Sequence, residues 1–317
     1  MSLFEFSFWG AILASTLRLS TPLIFASLGG YFSEKSGVIN IGLEGLMLTG
    51  AFAAAVGNYS TGSPMIGLLC GIAAATLLAL VHAFCCITLK SDQVVTGMAI
   101  NILTLGMAPF LSNAIYGTTG STPPIDLANH IQEWHIPLIS NIPLIGDIIG
   151  THIPFVYAAI LCVFAVHYWS LKRPNGLHLR AAGEHPEAAD SLGINVIKVR
   201  YFGVLMSGVM CGLAGACLSI GNASSFSRGM TSGRGYIALT ALIFGKWKPI
   251  PTFIACLLFG FTDALQIRMQ GVSIPPFGEI APQFVQMIPY VVTIVVLAGF
   301  VGKSQAPKAL GTPYSKE

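Results

Sequence analysis

Charge is what this sequence has least of. Asp, Glu, Lys and Arg make up 9% of its 317 residues, against roughly a quarter in soluble domains. This scarcity excludes a water-soluble globular class, and a net charge of +3 is too small to argue for a nucleic-acid partner. The alternation of polar and apolar residues that marks barrel strands is missing, which leaves helices as the backbone that can cross lipid fully hydrogen-bonded. No Cys-x-x-Cys spacing occurs. Cys70, Cys85, Cys86, Cys162, Cys211, Cys217 and Cys256 all lie in apolar stretches and read as buried, inert thiols. A Walker glycine loop is lacking, as are an acidic cluster fit for a metal or diphosphate and a Ser/His pairing, so neither ATP hydrolysis nor intramembrane catalysis has visible machinery here. The first apolar stretch has no basic start and no small-residue cleavage site, so it is expected to be a retained span.

What is present is hydrophobicity: 54% of the chain, in recurring runs of about 20 residues, the length a helix needs to cross ~30 Å of hydrocarbon. The expected class is all-α and polytopic, with about nine crossings in one transmembrane domain spanning 1–317. Spans are expected at 9–30, 37–57, 64–89, 93–115, 153–171, 197–221, 250–267 and 284–301, with a shorter apolar piece ending at Gly245. Arg18 lies inside the first span, either as an interfacial anchor or as an ion-pair member. Two segments break the pattern. Residues 37–57 carry five glycines with Asn40 and Glu44, which weakens the helix and places polar groups where lipid does not tolerate them. A break near Gly42, Glu44 and Gly45 would line a pathway, and close helix packing on small residues is the competing explanation. The Gly/Ser-rich run 222–236 should be irregular backbone ahead of a half-helix, so that interruptions near 37–57 and 222–246 form a pair, the pattern that points to a central pathway. Asp92 suits a helix N-terminus, and Asn101, Thr104 and Asn113 suggest an inward polar stripe.

Residues 116–152 contain no Lys or Arg and read as a long external loop with a short amphipathic piece near 131–136. Its His130, His135 and His152 match no recurrent metal spacing. The basic residues sort by side. With the 172–200 island in the cytoplasm, Lys35, Lys90, Lys172, Arg173, Arg180, Lys198, Arg200, Lys246, Lys248, Lys303, Lys308 and Lys316 lie inside, and Arg228, Arg234 and Arg268 outside. This satisfies the positive-inside rule, with an external N-terminus and a cytoplasmic C-terminus.

The island is the one long polar stretch with a helix signal of its own. Gly183-Glu184-His185-Pro186-Glu187-Ala188-Ala189-Asp190-Ser191-Leu192-Gly193 reads as a short helix, with Pro186 at its first position, acidic residues at its positive end and Gly193 to close it. Ala188 and Ala189 give it a face open to close approach. Such a helix, held between long spans, can turn a partner's push into rigid-body movement, and an ordinary solvated loop helix is the plainer alternative.

The stretch Gly37 to Gly50 with its following Ala run, Asp92 to Asn101, the Arg180 to Asp190 block and Gly233-Arg234-Gly235-Tyr236 through Phe244-Gly245-Lys246-Trp247 together resemble the permease subunits of ATP-binding-cassette importers of the ribose, branched-chain amino-acid and nucleoside group, the nucleoside type above all. The resemblance implies a type II-like importer permease of the bacterial inner membrane. It makes Gly183 to Leu192 the coupling helix and implies three partners: an ATPase that binds ATP and Mg, a second permease subunit (a copy or a homologue), and a solute-binding protein. No cofactor is expected in this chain. Asn40, Glu44, Asn101 and Thr240 are the candidate pathway residues for a neutral, hydrogen-bonding solute such as a nucleoside or sugar. The rival reading is a channel or ion-driven secondary transporter, for which Glu44, Asp263 and His82 are the available mid-span titratable groups.

Overall fold

The computed structural model describes residues 6–126, 129–135, 146–269 and 305–315, together with 273, 274, 278, 279, 287, 291 and 294. Ten α-helices are described. They are α1 (Phe6–Lys35), α2 (Leu43–Thr61), α3 (Pro64–Ala83), α4 (Gln93–Tyr116), α5 (Pro154–Lys172), α6 (Pro174–Glu184), α7 (Pro186–Ser191), α8 (Val196–Ala216), α9 (Arg234–Phe244) and α10 (Pro249–Met269). Wider π-helical turns extend α3 over Phe84–Thr88 and α8 over Cys217–Ala223. Among the described residues six helices are long and apolar enough to cross a bilayer: α1, α3, α4, α5, α8 and α10. The helix α2 has 19 residues, but Glu44, Asn58 and its glycines dilute its apolarity. The half-helix α9, at 11 residues, reaches only about 16 Å. The expected last span, 284–301, falls largely outside the described residues.

Helix α1 runs five residues beyond its expected end and absorbs the polar patch at 33–35. It stays helical through Pro22, whose missing N–H leaves a carbonyl free one turn back. Ser15, Thr16, Ser20 and Thr21 each turn their hydroxyls onto the carbonyl four residues earlier, so these polar side chains are satisfied within the helix. Asp92 caps α4 as its position suggests, its Oδ1 accepting from the Val94 and Val95 amides at 2.9 Å. On α4 the inward stripe is Gln93, Gly97, Asn101, Thr104, Ala108 and Ser112. Asn113 faces outward, because it follows Ser112 by one residue and so lies 100° around the helix.

The inner helices are α1, α2 and α8. They approach closely because glycine carries no side chain. A Cβ on Gly50 would stand 2.9 Å from Gly212 Cα, one on Gly215 2.2 Å from Met47 O, and one on Gly29 3.0 Å from Ser207 O. Small residues thus serve close packing in the body of α2, as the competing explanation holds, while the break lies just before it. The outer faces of α3, α4, α5 and α10 carry Leu69, Leu77, Ile102, Phe110, Leu161, Phe164 and Ile254 exposed. Apolar residues exposed around such a perimeter face lipid rather than water.

At the end of the bundle opposite the 172–200 island, the 116–152 region is partly anchored. Its amphipathic piece is not helical: β1 (Trp134–His135) pairs antiparallel with β2 (Thr151–His152), and 136–145 lie outside the described residues. Thr122 and Ile125 amides donate to the Phe226 and Ser224 carbonyls at 3.0 and 2.8 Å, and Phe226 is buried edge-on against Phe52. A second short pair, β3 (Ser273–Ile274) and β4 (Gly278–Glu279), follows α10.

Candidate functional site

The two expected interruptions meet. Between α1 and α2 the chain leaves the helix at residues 36–42, and its free backbone groups need partners that lipid does not supply. Side chains from α3 and α4, and Asn40 within the segment, provide them. The Ile39 amide donates to Gln93 Oε1 at 2.7 Å, and His82 Nε2 lies 3.1 Å from the Ile39 carbonyl. Asn40 accepts from the Gly42 amide with Oδ1 and donates through Nδ2 to Ser207 Oγ at 2.9 Å. Asn101 accepts from the Gly45 amide at 2.8 Å, and its Nδ2 donates to the Ile41 carbonyl at 3.0 Å and the Tyr236 hydroxyl at 2.8 Å.

Glu44 joins the two breaks. From the first turn of α2 its carboxylate accepts the Gly233 amide at 2.8 Å and the Gly235 amide at 2.6 Å, so it caps the N-terminus of α9. A carboxylate there meets the positive end of the helix dipole as well as two orphan donors. The approach requires glycine: a Cβ on Gly235 would stand 2.4 Å from the Glu44 backbone nitrogen. Asn40, Glu44 and Asn101 thus gather into one buried knot. Thr240 does not join it. It sits one turn past Tyr236 on α9, half-buried, donating to the Tyr236 carbonyl at 2.9 Å. Gln93 and Ser207 also belong to the knot, as do His82, expected only as a titratable group of the ion-driven reading, and Gly233, Gly235 and Tyr236, expected only as part of the family motif. A Gln directly after the Asp92 cap was the one available signal.

Beside the knot, on the side away from the island, a cavity of about 450 Å³ is lined by Arg18, Asn222, Ser227, Met230 and Arg234 among others. Arg18 makes no ion pair among the described residues. The three loop histidines lie apart: His130 contacts Ser224, His135 Nδ1 lies 3.3 Å from Thr151 Oγ1, and His152 Nε2 lies 2.7 Å from the Ile148 carbonyl. Among the described residues no three His, Cys, Asp or Glu side chains cluster as metal ligands would. His82 and Asp263 are not brought to Glu44 by any contact described.

At the island the expected single helix Gly183–Gly193 is two. Gly183 and Glu184 end α6, His185 breaks the helix with extended backbone, and α7 starts at Pro186, the first-turn position in which proline suits a helix. Gly193 closes it at φ 82°. Gly183 is not on a free face. It packs on the end of α1, where a Cβ would fall 2.2 Å from the Lys35 carbonyl, and Glu184 pairs with Lys35 at 3.4 Å. The two alanines of α7 also part: Ala189 is buried with Ala182 and Val196, while Ala188 faces out with His185, Glu187 and Ser191. Leu192, 82% exposed, stands beside them.

Residues 305–315 form a strap over this region. The Ala309 amide donates to the Gly183 carbonyl at 2.9 Å and the Gly311 amide to the Gly37 carbonyl at 3.1 Å. Buried Arg200 donates from Nη1 to the Thr312 carbonyl at 2.8 Å, with its guanidinium 5.9 Å from the Tyr314 ring centre. Desolvation, and then the hydrogen bond to Asp190, hold the Tyr314 phenol above its ordinary pKa. Strap and α7 enclose a cleft of about 710 Å³ lined by Glu187, Ala188, Asp190, Lys308 and Tyr314. The strap, α6 and the end of α1 converge at Gly37, three residues before Asn40. The wet helix is therefore connected through packed backbone to the knot.

A polytopic bundle with helices broken within it, and a structured polar helix tied to the break, is the architecture of a membrane permease moved by a partner. Residues 12–297 match the family described as the permease component of branched-chain amino acid transport systems, and the chain belongs to that family. It is 42% identical over 312 residues to the guanosine ABC transporter permease protein NupQ of Bacillus subtilis, with 96% of each chain covered. It is likewise 42% identical over 313 residues to the nucleoside ABC transporter permease protein NupC of Lactococcus lactis, again with 96% of each covered. The putative glucose ABC transporter permease protein TsgC13 of Haloferax volcanii is 35% identical over 335 residues, covering 98% of this chain and 99% of its own. The protein is a multi-pass permease component of an ATP-binding-cassette transporter, and an ATPase subunit is its partner.

Proposed function

We propose that this chain carries nucleosides inward, as one of two permease subunits, by alternating access driven from a separate ATPase. The observation that carries the mechanism is the continuous path from α7 through Gly183, Lys35 and Gly37 to Asn40. An ATPase that holds α7 and moves on binding and hydrolysing ATP with Mg shifts a segment whose far end is the Asn40–Glu44–Asn101 knot. In this reading the island faces the cytoplasm, the C-terminus with it, and the N-terminus lies outside, where a solute-binding protein delivers to the mouth near Arg18 and Arg234. The second permease is a copy or a homologue. Asn40, Glu44, Asn101 and Thr240 border the path, and the first three act as its gate hinge because their hydrogen bonds hold the two broken helices together.

The nucleoside assignment is supported by the names of the two 42% identical relatives, and by side chains that are polar and neutral for the most part, which suits a solute that offers hydroxyls and ring nitrogens. A sugar is the second reading, favoured by the name of the 35% identical relative. The deciding experiment is uptake of labelled guanosine and glucose by cells carrying the whole transporter, with and without a protonophore. Guanosine uptake should survive the protonophore and stop with Ala188→Arg, whose side chain would stand in the ATPase contact while the permease still inserts. Uptake abolished by the protonophore with ATP maintained would favour the ion-driven rival, and full uptake by Ala188→Arg would remove α7 from the docking face.

A further inference from the structure

A second cavity, about 280 Å³ in volume, lies at the island end between the ends of α1 and α5, the body of α6 and the turn before α10. Lys35, Arg180, Lys246, Lys248 and His167 all line it, with Tyr31 and Trp247 as aromatic walls. Among the described residues one ion pair is formed here, Lys35 with Glu184. The other cations converge on the space without a carboxylate in ion-pair contact. His167 Nδ1 is buried with no hydrogen-bond partner among the described residues. The turn that brings Lys246, Trp247 and Lys248 to the cavity holds Lys246 and Trp247 at φ 52° and 51°, left-handed backbone that non-glycine residues rarely adopt. Packing fixes it there: Trp247 is buried, its indole N–H donating to Glu34 Oε2 at 2.5 Å.

The preference for cations on the cytoplasmic side accounts for lysines at this end of the bundle. It does not account for their convergence from three chain segments on one cavity, nor for backbone strain spent on aiming two of them. Like charges brought together around a space repel unless an anion occupies it, and basic pockets between helices at the cytoplasmic surface suit phospholipid headgroups. The N-terminus of α10 at the cavity wall adds little to this, because Pro249 and Pro251 carry no N–H.

We propose that this cavity binds a phosphate group, presented by an anionic phospholipid of the cytoplasmic leaflet, and that Arg180, Lys246 and Lys248 hold it with His167 as a further donor. The inference rests on the orientation proposed above but not on the solute, and its readout involves neither uptake nor ATP. The test is titration of the delipidated, detergent-purified full chain with phosphatidylglycerol, phosphatidylcholine and inorganic phosphate, followed by native mass spectrometry. Phosphatidylglycerol should bind in preference to phosphatidylcholine. The Arg180→Gln/Lys248→Gln double variant should weaken it by about tenfold or more, since charge-assisted contacts to phosphate are lost. Lys90→Gln, which removes a cation at the same end outside the cavity, should leave binding unchanged. Equal binding of both lipids, or an unaltered affinity in the double variant, overturns the site. Displacement of phosphatidylglycerol by an equal concentration of inorganic phosphate would make free phosphate the occupant and overturn the lipid source. If the double variant is not monodisperse, His167→Leu, which removes the buried donor without touching a charged residue, is read in the same way.

Discussion

Replacing Glu44 tests the junction of the two broken helices most directly. Its carboxylate is 6% exposed in residue terms and accepts two backbone amides, at 2.8 and 2.6 Å, from Gly233 and Gly235. Hydrogen bonds to a charged group are worth roughly 1.5–3 kcal/mol each, and the dipole of α9 adds about 0.3–1 kcal/mol. Glu44→Ala should therefore cost about 3–7 kcal/mol, because the buried Gly235 amide and the half-buried Gly233 amide both lose their acceptor. Glu44→Gln keeps one acceptor oxygen and should cost about half as much. The measurement is the thermal midpoint of the purified protein in detergent, with labelled-guanosine uptake by the whole transporter alongside. The expected order is wild type above Gln above Ala in both, with the Ala variant inserted but inactive. If the Ala and Gln variants melt together with the wild type, the carboxylate is not holding α9. If Ala melts low yet transports normally, the knot is structural and does not gate.

Two further perturbations address the connection from α7 to the knot. Gly183→Ala places a Cβ 2.2 Å from the Lys35 carbonyl, a backbone clash that should cost about 1–3 kcal/mol and reduce uptake; Gly193→Ala, with open space around it but φ 82°, should cost only about 1 kcal/mol. Equal uptake by the two would show that the α6–α1 contact transmits nothing. Ending the chain after Ala306 removes the strap's hydrogen bonds to Gly183, Gly37, Arg200 and Glu184, and the one from Tyr314 to Asp190, of about 1 kcal/mol each. Trypsin should then cut the island at Lys198 or Arg180 several-fold faster, and an unchanged cutting rate would show the strap to be unattached.

Much of this was legible in one dimension. The all-helical class, the Asp92 cap, the start at Pro186, the turn at Gly193 and the half-helix ending at Gly245 each follow from local chemistry: apolar run length, cap residues, proline and glycine. The break before α2 was also readable, because glycines with Asn40 and Glu44 in an apolar setting conflict with a continuous lipid-facing helix. Errors arose where one residue of rotation or one contact decides the outcome. Asn113 suits the inward stripe by type, but Ser112 occupies it; Ala188 and Ala189 are neighbours in sequence but point opposite ways; and Gly183 precedes by three residues the helix that its sequence suggests it opens.

The sequence by itself determined the all-helical class, where helices fail, and that a polar stretch with helix signals interrupts the apolar runs, since each of these depends on residues close together in the chain. Only the tertiary structure decided that Glu44 meets Gly233 and Gly235 across 189 and 191 positions, that Asn101 serves both breaks, and that the C-terminal strap closes on Gly183 and Gly37. Such contacts come from glycine-lined helices approaching within a few ångströms and from buried backbone groups needing acceptors wherever the fold brings them. No local pattern records which distant residue will supply one.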